Sequence, residues 1–101
     1  MADAPRSDVF QALSAPARRL IVDELSERDG QTLFELCSRL TMRHQLNLSR
    51  QAVSQHLDVL EQAGLVHARR DGRYKFHDLD LAPLRDAVAG WLGQQTSLDT
   101  D

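Results

Sequence analysis

One cysteine, Cys37, is all the thiol chemistry in the 101-residue chain. No intramolecular disulfide can staple it, and a reducing compartment suits it. No run approaches the roughly 18 apolar residues of a membrane span, and the first residues lack the apolar core of a signal peptide. A cytoplasmic protein without a membrane partner is therefore expected. Phosphate-cradling loops, nucleophile–base pairs and metal triads are also missing, which argues against an enzyme. There is no internal repeat and no low-complexity tract. A chain this short forms one modest core, and its burial is marginal enough for dimerisation to help.

Net positive charge is missing too, since the formal charge is -3, which at first weighs against nucleic acid. The distribution reverses that inference. Between Arg43 and His77 stand six basic residues (Arg43, Arg50, Arg69, Arg70, Arg73, Lys75) and three acidic ones (Asp58, Glu61, Asp71), a balance of +3. The remaining six basic and twelve acidic residues give -6. A positive head on a negative body orients on a polyanion while limiting non-specific adhesion.

Inside the positive segment the run NLSRQAVSQHLDVLEQAGLV reads as a helix with Ser49 as N-cap and Gly64 just past its end. Val53, Leu57 and Leu60 recur at helical spacing on one edge, and Arg50, Gln51, Ser54, Gln55 and Asp58 occupy the other. Arg matches guanine O6/N7 and Gln matches adenine N6/N7, so the first turns of this helix can read base edges in a major groove. The cationic stretch HARRDGRYKFHD follows at once and turns near Asp71-Gly72. A two-residue turn at Asp71-Gly72 mixes apolar and charged side chains on both faces. A three-residue loop over Arg70, Asp71 and Gly72 segregates them better, and that register is expected. It puts Val66, Ala68, Tyr74 and Phe76 on one face and His67, Arg69, Arg73, Lys75 and His77 on the other. Arg69 then lies opposite Arg73, a repulsion that phosphates would relieve.

The runs SRQAVSQHLDVLEQAGLV, GRYKF and FQALSAPARRLIVDEL together resemble the ArsR/SmtB family of bacterial winged-helix transcription regulators, over residues 9–92. The resemblance implies a homodimer that binds double-stranded operator DNA and answers to a metal or another signal. It puts the recognition helix at 49–63 and the wing at 65–78. The DNA-binding residues expected are Ser49, Arg50, Gln51, Ser54, Gln55, Arg69, Arg70, Arg73 and Lys75.

The other elements follow from periodicity and caps. A short first helix carries Val9, Phe10 and Leu13. A second starts at Pro16 and buries Ala17, Leu20, Ile21 and Leu25. The third runs from Thr32 or Leu33 to about His44, with Leu33, Leu36, Cys37 and Leu40 on one stripe. The last is capped by Asp80, takes Pro83 in its first turn and aligns Leu81, Leu84, Val88, Trp91 and Leu92. The expected fold is mainly α with a small β-hairpin, a dimeric winged helix-turn-helix of order α-α-α-α-β-β-α. A short strand near Gln31 is a further expectation. Residues 1–7 read as a leader, 8–92 as the DNA-binding and dimerisation domain, and 93–101 as a polar tail. Val9, Phe10 and Leu13 against Leu81, Leu84, Val88 and Trp91 form the expected dimer interface. The family's usual link between its two helix-turn-helix helices is very short, whereas TMRHQLNLS intervenes here, so either the third helix is extended or the turn has become a loop.

Metal chemistry is not expected. Family sites on the third helix use a pair of close cysteines, but ELCSRL has Cys37 alone. Sites across the last helices use carboxylates and histidines, and residues 80–95 contain no histidine. Cys37 and His44 sit two helical turns apart, roughly 10.5 Å along the axis, beyond ligand bonds of about 2.0 to 2.3 Å. His67 and His77 become diagonal neighbours in the expected register, but Lys75 beside them disfavours a cation. We expect no metal site and no cofactor. Cys37 reads as a small buried residue, His56 as a packing residue, His44 as a solvated helix end, and His67 and His77 as wing or DNA contacts. Signal sensing then falls to a sensor partner protein or a ligand. Two alternatives are a winged-helix protein-interaction module and a direct metal or redox sensor using Cys37 or the wing histidines.

Overall fold

Local chemistry sets where each helix starts and stops. The computed structural model describes residues 9–99, of which 9–12 are the described end of the first helix, α1. The order continues as α2 (Pro16–Glu27), α3 (Leu33–His44), α4 (Arg50–Gln62), β1 (Val66–Asp71), β2 (Tyr74–Leu79) and α5 (Ala82–Asp99). Pro16 opens α2 where its missing N–H costs nothing. At α3 the Thr32 hydroxyl accepts from the Glu35 N–H at 3.2 Å while the Glu35 carboxylate accepts from the Thr32 N–H at 2.9 Å, a reciprocal capping box. Ser49 caps α4 by accepting from the Ala52 N–H at 3.0 Å. That helix ends on Gly64, at φ +79. The Leu65 N–H reaches Leu60 O and the Gly64 N–H reaches Glu61 O, both at 2.9 Å, closing a left-handed cap that only glycine adopts freely. The last helix begins one residue later than its cap suggests: Asp80 Oδ1 accepts from the Ala82 N–H at 3.0 Å, and Leu81 O takes the first helical bond, from Arg85. It runs on through residues 93–99, most of the polar tail. The leader lies outside the described residues.

Three helices pack around one core. Ile21 and Leu25 of α2, Leu36 and Leu40 of α3, and Val53, Leu57 and Leu60 of α4 meet Leu65, Val66 and Ala87 with almost no exposure. Truncating one such leucine to alanine costs about 2 to 5 kcal/mol. Val9 belongs to this core at 1% exposure, which corrects its expected place in a dimer interface. Its small side chain fills the chain's own interior, while Phe10 next to it faces solvent.

Both readings of the long helix-turn-helix link hold in part. The helix α3 extends to His44, and residues 45–49 form the loop. Gln45 turns the chain in the left-handed region at φ 52, and its N–H and that of Leu46 both donate to Leu40 O. A residue other than glycine pays about 1 to 2 kcal/mol for that conformation. Leu46 and Leu48 offset it by packing against the core.

The hairpin departs from the expected register. Asp71 pairs with Tyr74, Arg70 with Lys75, Arg69 with Phe76, Ala68 with His77, His67 with Asp78 and Val66 with Leu79. The loop is the two residues Gly72-Arg73 instead of the expected three, Arg70, Asp71 and Gly72, with Gly72 at φ +64 in the first loop position as a type II′ turn requires. Paired residues share a face, so Arg69 lies with Phe76, and Arg70 lies opposite Lys75. Apolar and charged residues are therefore divided along the hairpin's length instead of between its faces. Its base is buried at Val66 and His77, and its tip is exposed. His67 and His77 fall on opposite faces, which removes the diagonal pair considered for a surface cation.

The strand expected near Gln31 is a single antiparallel bridge to His77. Backbone bonds of 3.2 and 2.8 Å run each way between these residues, and the His77 ring donates from Nδ1 to Gln31 O at 2.9 Å. At 4% exposure His77 is a structural rivet, not the DNA contact its place in the wing suggested.

Candidate nucleic-acid interface

The exposed polar edge of α4 is built by its own periodicity. Because Val53, Leu57 and Leu60 turn inward, Arg50, Gln51 and Gln55 must project outward; all three are exposed, with Ser54 half-buried between them. Ser49 is exposed at the cap itself. Behind this edge His56 is held in place: its Nδ1 accepts from Arg18 Nη1 at 3.2 Å, and Arg18 Nε donates to Ala12 O at 2.6 Å. Burial and the Arg18 charge lower the His56 pKa, so the ring stays neutral and accepting. Arg18 thus ties the end of α1 to the middle of the reading helix. Sequence periodicity alone places His56 as a packing residue and gives no sign of this tie.

The wing carries its charge at the tip. Arg70, Arg73 and Lys75 are exposed and make no ion pair among the described residues, and neither does Arg50. Arg69 differs. Its Nε donates to Asp78 Oδ2 at 2.6 Å, and its guanidinium lies over the Phe76 ring at 5.0 Å. Asp78 holds the Arg69 pKa above the usual arginine range. His67 reaches Asp80 at 2.9 Å. That contact, after the Ala82 N–H, lowers the Asp80 carboxyl. The outer face of the hairpin is thus braced internally, and the tip cations are left for a partner.

Away from that surface lies a second cationic group that sequence reasoning missed. Glu24 is 1% exposed. Its carboxylate accepts from Arg39 Nε and from His44 Nε2, each at 2.7 Å, with Arg43 Nε at 3.6 Å. Arg43 also reaches Glu27 at 2.9 Å. Burial alone would raise the Glu24 carboxyl, but the Arg39, His44 and Arg43 contacts outweigh it and hold it below the usual value. His44 is therefore a tether between α2 and α3, not a solvated end. A signal was available: Arg39 and Arg43 are one turn apart on α3, as Glu24 and Glu27 are on α2. Among the described residues no three His, Cys, Asp or Glu side chains gather as a metal-binding group, and no helix is long and apolar enough to cross a membrane.

An extended helix-turn-helix pair followed by a hairpin with a cationic tip is the architecture of a winged-helix regulator. Residues 13–69 match the helix-turn-helix domain family. The HTH-type transcriptional regulator YuzN of Bacillus subtilis strain 168 is 46% identical over 84 residues, covering 83% of this chain and 91% of YuzN. The solved ArsR-like transcriptional regulator from Rhodococcus sp. RHA1 superposes with a TM-score of 0.81 at 31% identity, covering 97% of this chain and 86% of that one. The chain belongs to the ArsR family of winged helix-turn-helix regulators. As an ArsR-family member it is a DNA-binding transcription regulator, and its relatives are regulators, not enzymes. The fold alone is shared with the homodimeric winged helix-turn-helix domain of Mb0332 from Mycobacterium bovis, with a TM-score of 0.68 at 20% identity, covering 97% of this chain and 85% of that one.

Proposed function

We propose that the protein acts in the cytoplasm as a homodimer on an inverted-repeat operator. Ser49, Arg50, Gln51, Ser54 and Gln55 meet the bases, and Arg70, Arg73 and Lys75 meet phosphates beside or within the minor groove. Arg69 serves the wing mainly as a brace, because Asp78 and Phe76 already engage its guanidinium. The observation that carries this reading is a pair of surfaces: the exposed polar turns of α4 and, on the hairpin that follows it, tip cations that make no ion pair among the described residues.

Dimerisation is supported by α5. Ala87 enters the core and Leu84 packs against it, whereas residues 89–94 are exposed all round and include Trp91 at 48%. A helix segment with a large indole in water on a monomer marks a surface that a partner covers. Phe10, with Leu13 behind it, is the complementary stripe, and Leu81 and Val88 extend the helix side. A two-fold axis through these helices would set two reading helices about one DNA turn, roughly 34 to 36 Å, apart. The signal reaches this dimer through a partner protein or a ligand.

Footprinting on genomic fragments captured by the purified protein tests the whole reading. An inverted repeat bound far more tightly than either half, with Trp91→Ala shifting sedimentation toward monomer and weakening the full site, is expected. A monomer at micromolar concentration that binds half-site and full site equally would reject the dimer. Absence of any salt-dependent DNA binding would favour a protein-interaction module.

A further inference from the structure

Phe34 and Met42 stand 67% and 77% exposed on the outer side of α3, two large apolar side chains that the monomer leaves in water. Beside them runs an open groove of about 460 Å³ lined by Phe34, Cys37, Ser38, Thr41, Met42 and Arg50. That volume falls within the range of small-molecule sites, about 300 to 1,000 Å³. Its walls are mainly apolar. Burial pushes the Cys37 thiol pKa up, so Cys37 contributes a neutral, weakly polar surface and not a thiolate. The one charged group in the lining is Arg50, which has no ion-pair partner among the described residues.

We propose that this groove binds a small amphipathic carboxylate, its apolar body against Phe34, Cys37 and Met42 and its carboxylate on the Arg50 guanidinium. Charge complementarity selects this occupant. A neutral apolar molecule would cover part of the guanidinium without giving it an acceptor, and a cation would be repelled. A compact polyanion would gain nothing from Phe34 and Met42. A monocarboxylate satisfies both halves, because two parallel N–H···O bonds fit the guanidinium fork while burial of an alkyl or aryl body removes the two exposed side chains from water. The Ser38 hydroxyl supplies a further donor at the groove, whereas that of Thr41 already donates to Asn47 Oδ1 at 3.2 Å. Arg50 cannot hold a carboxylate and a DNA site together, so ligand and operator compete. That consequence, unlike the binding itself, rests on the proposed role of Arg50 at the DNA.

Calorimetry on the full chain with octanoate, kept below its micellar range, tests the site, with octanol as the neutral control. Saturable binding of one octanoate per chain is expected, with octanol weaker by about tenfold or more. Met42→Asp puts a carboxylate into the groove at an exposed position, so it should abolish octanoate binding while leaving the melting temperature unchanged. Arg50→Gln should weaken octanoate to the level of octanol. Octanol binding as tightly as octanoate, octanoate retained by Met42→Asp, or a wild-type dimer that buries Phe34 and ignores octanoate would each overturn the proposal. If octanoate binds with the stated selectivity and leaves operator affinity untouched, the carboxylate site stands and the DNA contact assigned to Arg50 falls.

Discussion

The cations of this chain divide into two populations that composition cannot separate. Arg39, Arg43 and His44 close on Glu24 and Glu27, whereas Arg50, Arg70, Arg73 and Lys75, on the first turn of α4 and the wing tip, make no ion pair among the described residues. The first group turns charge into a fixed angle between α2 and α3. The second keeps its charge available for phosphate or a carboxylate. Arg43 shows how a count misleads: it adds to the positive balance of residues 43–77, yet two carboxylates already neutralise it. Net charge of a segment therefore overstates its pull on DNA wherever an acidic helix packs beside it.

The comparison is broken most forcefully at Glu24. Removing it leaves three cationic or protonatable groups around a buried site, so Glu24→Ala should cost about 3 kcal/mol of folding stability. That is the low end for breaking a buried pair, because Arg39 and His44 keep some contact with water. Urea unfolding measures it. The pH dependence has a defined sign. Since the folded carboxyl lies below its ordinary value of 4.5, its contribution is complete above about pH 4.5 and is lost as pH falls through the folded pKa. Acid titration of Glu24→Gln should lack that part of the transition. Equal acid sensitivity in both proteins would show that the clamp does not hold the two helices.

The unpaired region should respond in the opposite way, losing DNA and not stability. Gln51→Ala should weaken the preferred operator by about 1 to 3 kcal/mol and relax its sequence preference, with unfolding within about 0.5 kcal/mol of wild type as expected for an exposed position. A loss of folding stability larger than the loss of binding would place Gln51 in the scaffold.

A smaller effect separates the two arginines of the wing. Arg73→Ala should lower the salt slope of binding by about 0.9 for one lost phosphate contact and weaken all DNA sequences alike. Arg69→Ala should change the slope less, because Asp78 already neutralises that guanidinium. Filter binding from low to moderate salt distinguishes them. Identical slopes for both variants would make Arg69 a phosphate contact equal to Arg73.

What could be read before any coordinates follows from how local each signal is. The helices were legible because Ser49 and Gly64 act within one turn, and because Val53, Leu57 and Leu60 repeat at the helical period. The hairpin itself was legible from Asp71-Gly72, but its register was not. A shift of a single residue exchanges every face, and the observed pairing is fixed by partners outside the hairpin: Gln31 bridging to His77, and Asp29 accepting from the Leu79 N–H at 2.7 Å. The Glu24 clamp and the Arg18–His56 tie escaped for the same reason, since each joins residues 15 to 38 positions apart. The exposed positions proposed to read bases were legible because outward projection on α4 follows from its buried edge. Arg69 and Arg70 were not distinguished, because only register decides which of them meets Asp78.

The finest test concerns His56, which lies between the two populations and belongs to neither. Its Nδ1 accepts from Arg18, so protonation would set an imidazolium against a guanidinium 3.2 Å away. The folded pKa is accordingly below the ordinary 6.5, owing to burial first and Arg18 second. The unfolded chain then binds more protons between the two values, and stability rises with pH across that window. Its contribution is complete above about pH 6.5 and declines as pH falls toward the folded pKa. The Glu24 effect begins only below about pH 4.5, so a comparison made above that pH leaves it out. Comparing urea unfolding at pH 7.5 and pH 5.5 (about one unit on either side of the ordinary histidine value), wild type should lose more stability than His56→Gln, by under about 1 kcal/mol, the size of one hydrogen bond. Operator affinity should follow the same trend if the tie from α1 to the reading helix orients Gln51 and Gln55. A variant whose stability falls as steeply as wild type over this interval would show that Arg18 is anchored by the Ala12 and Gln11 carbonyls without His56, and that α4 is positioned by its buried leucines without help from α1.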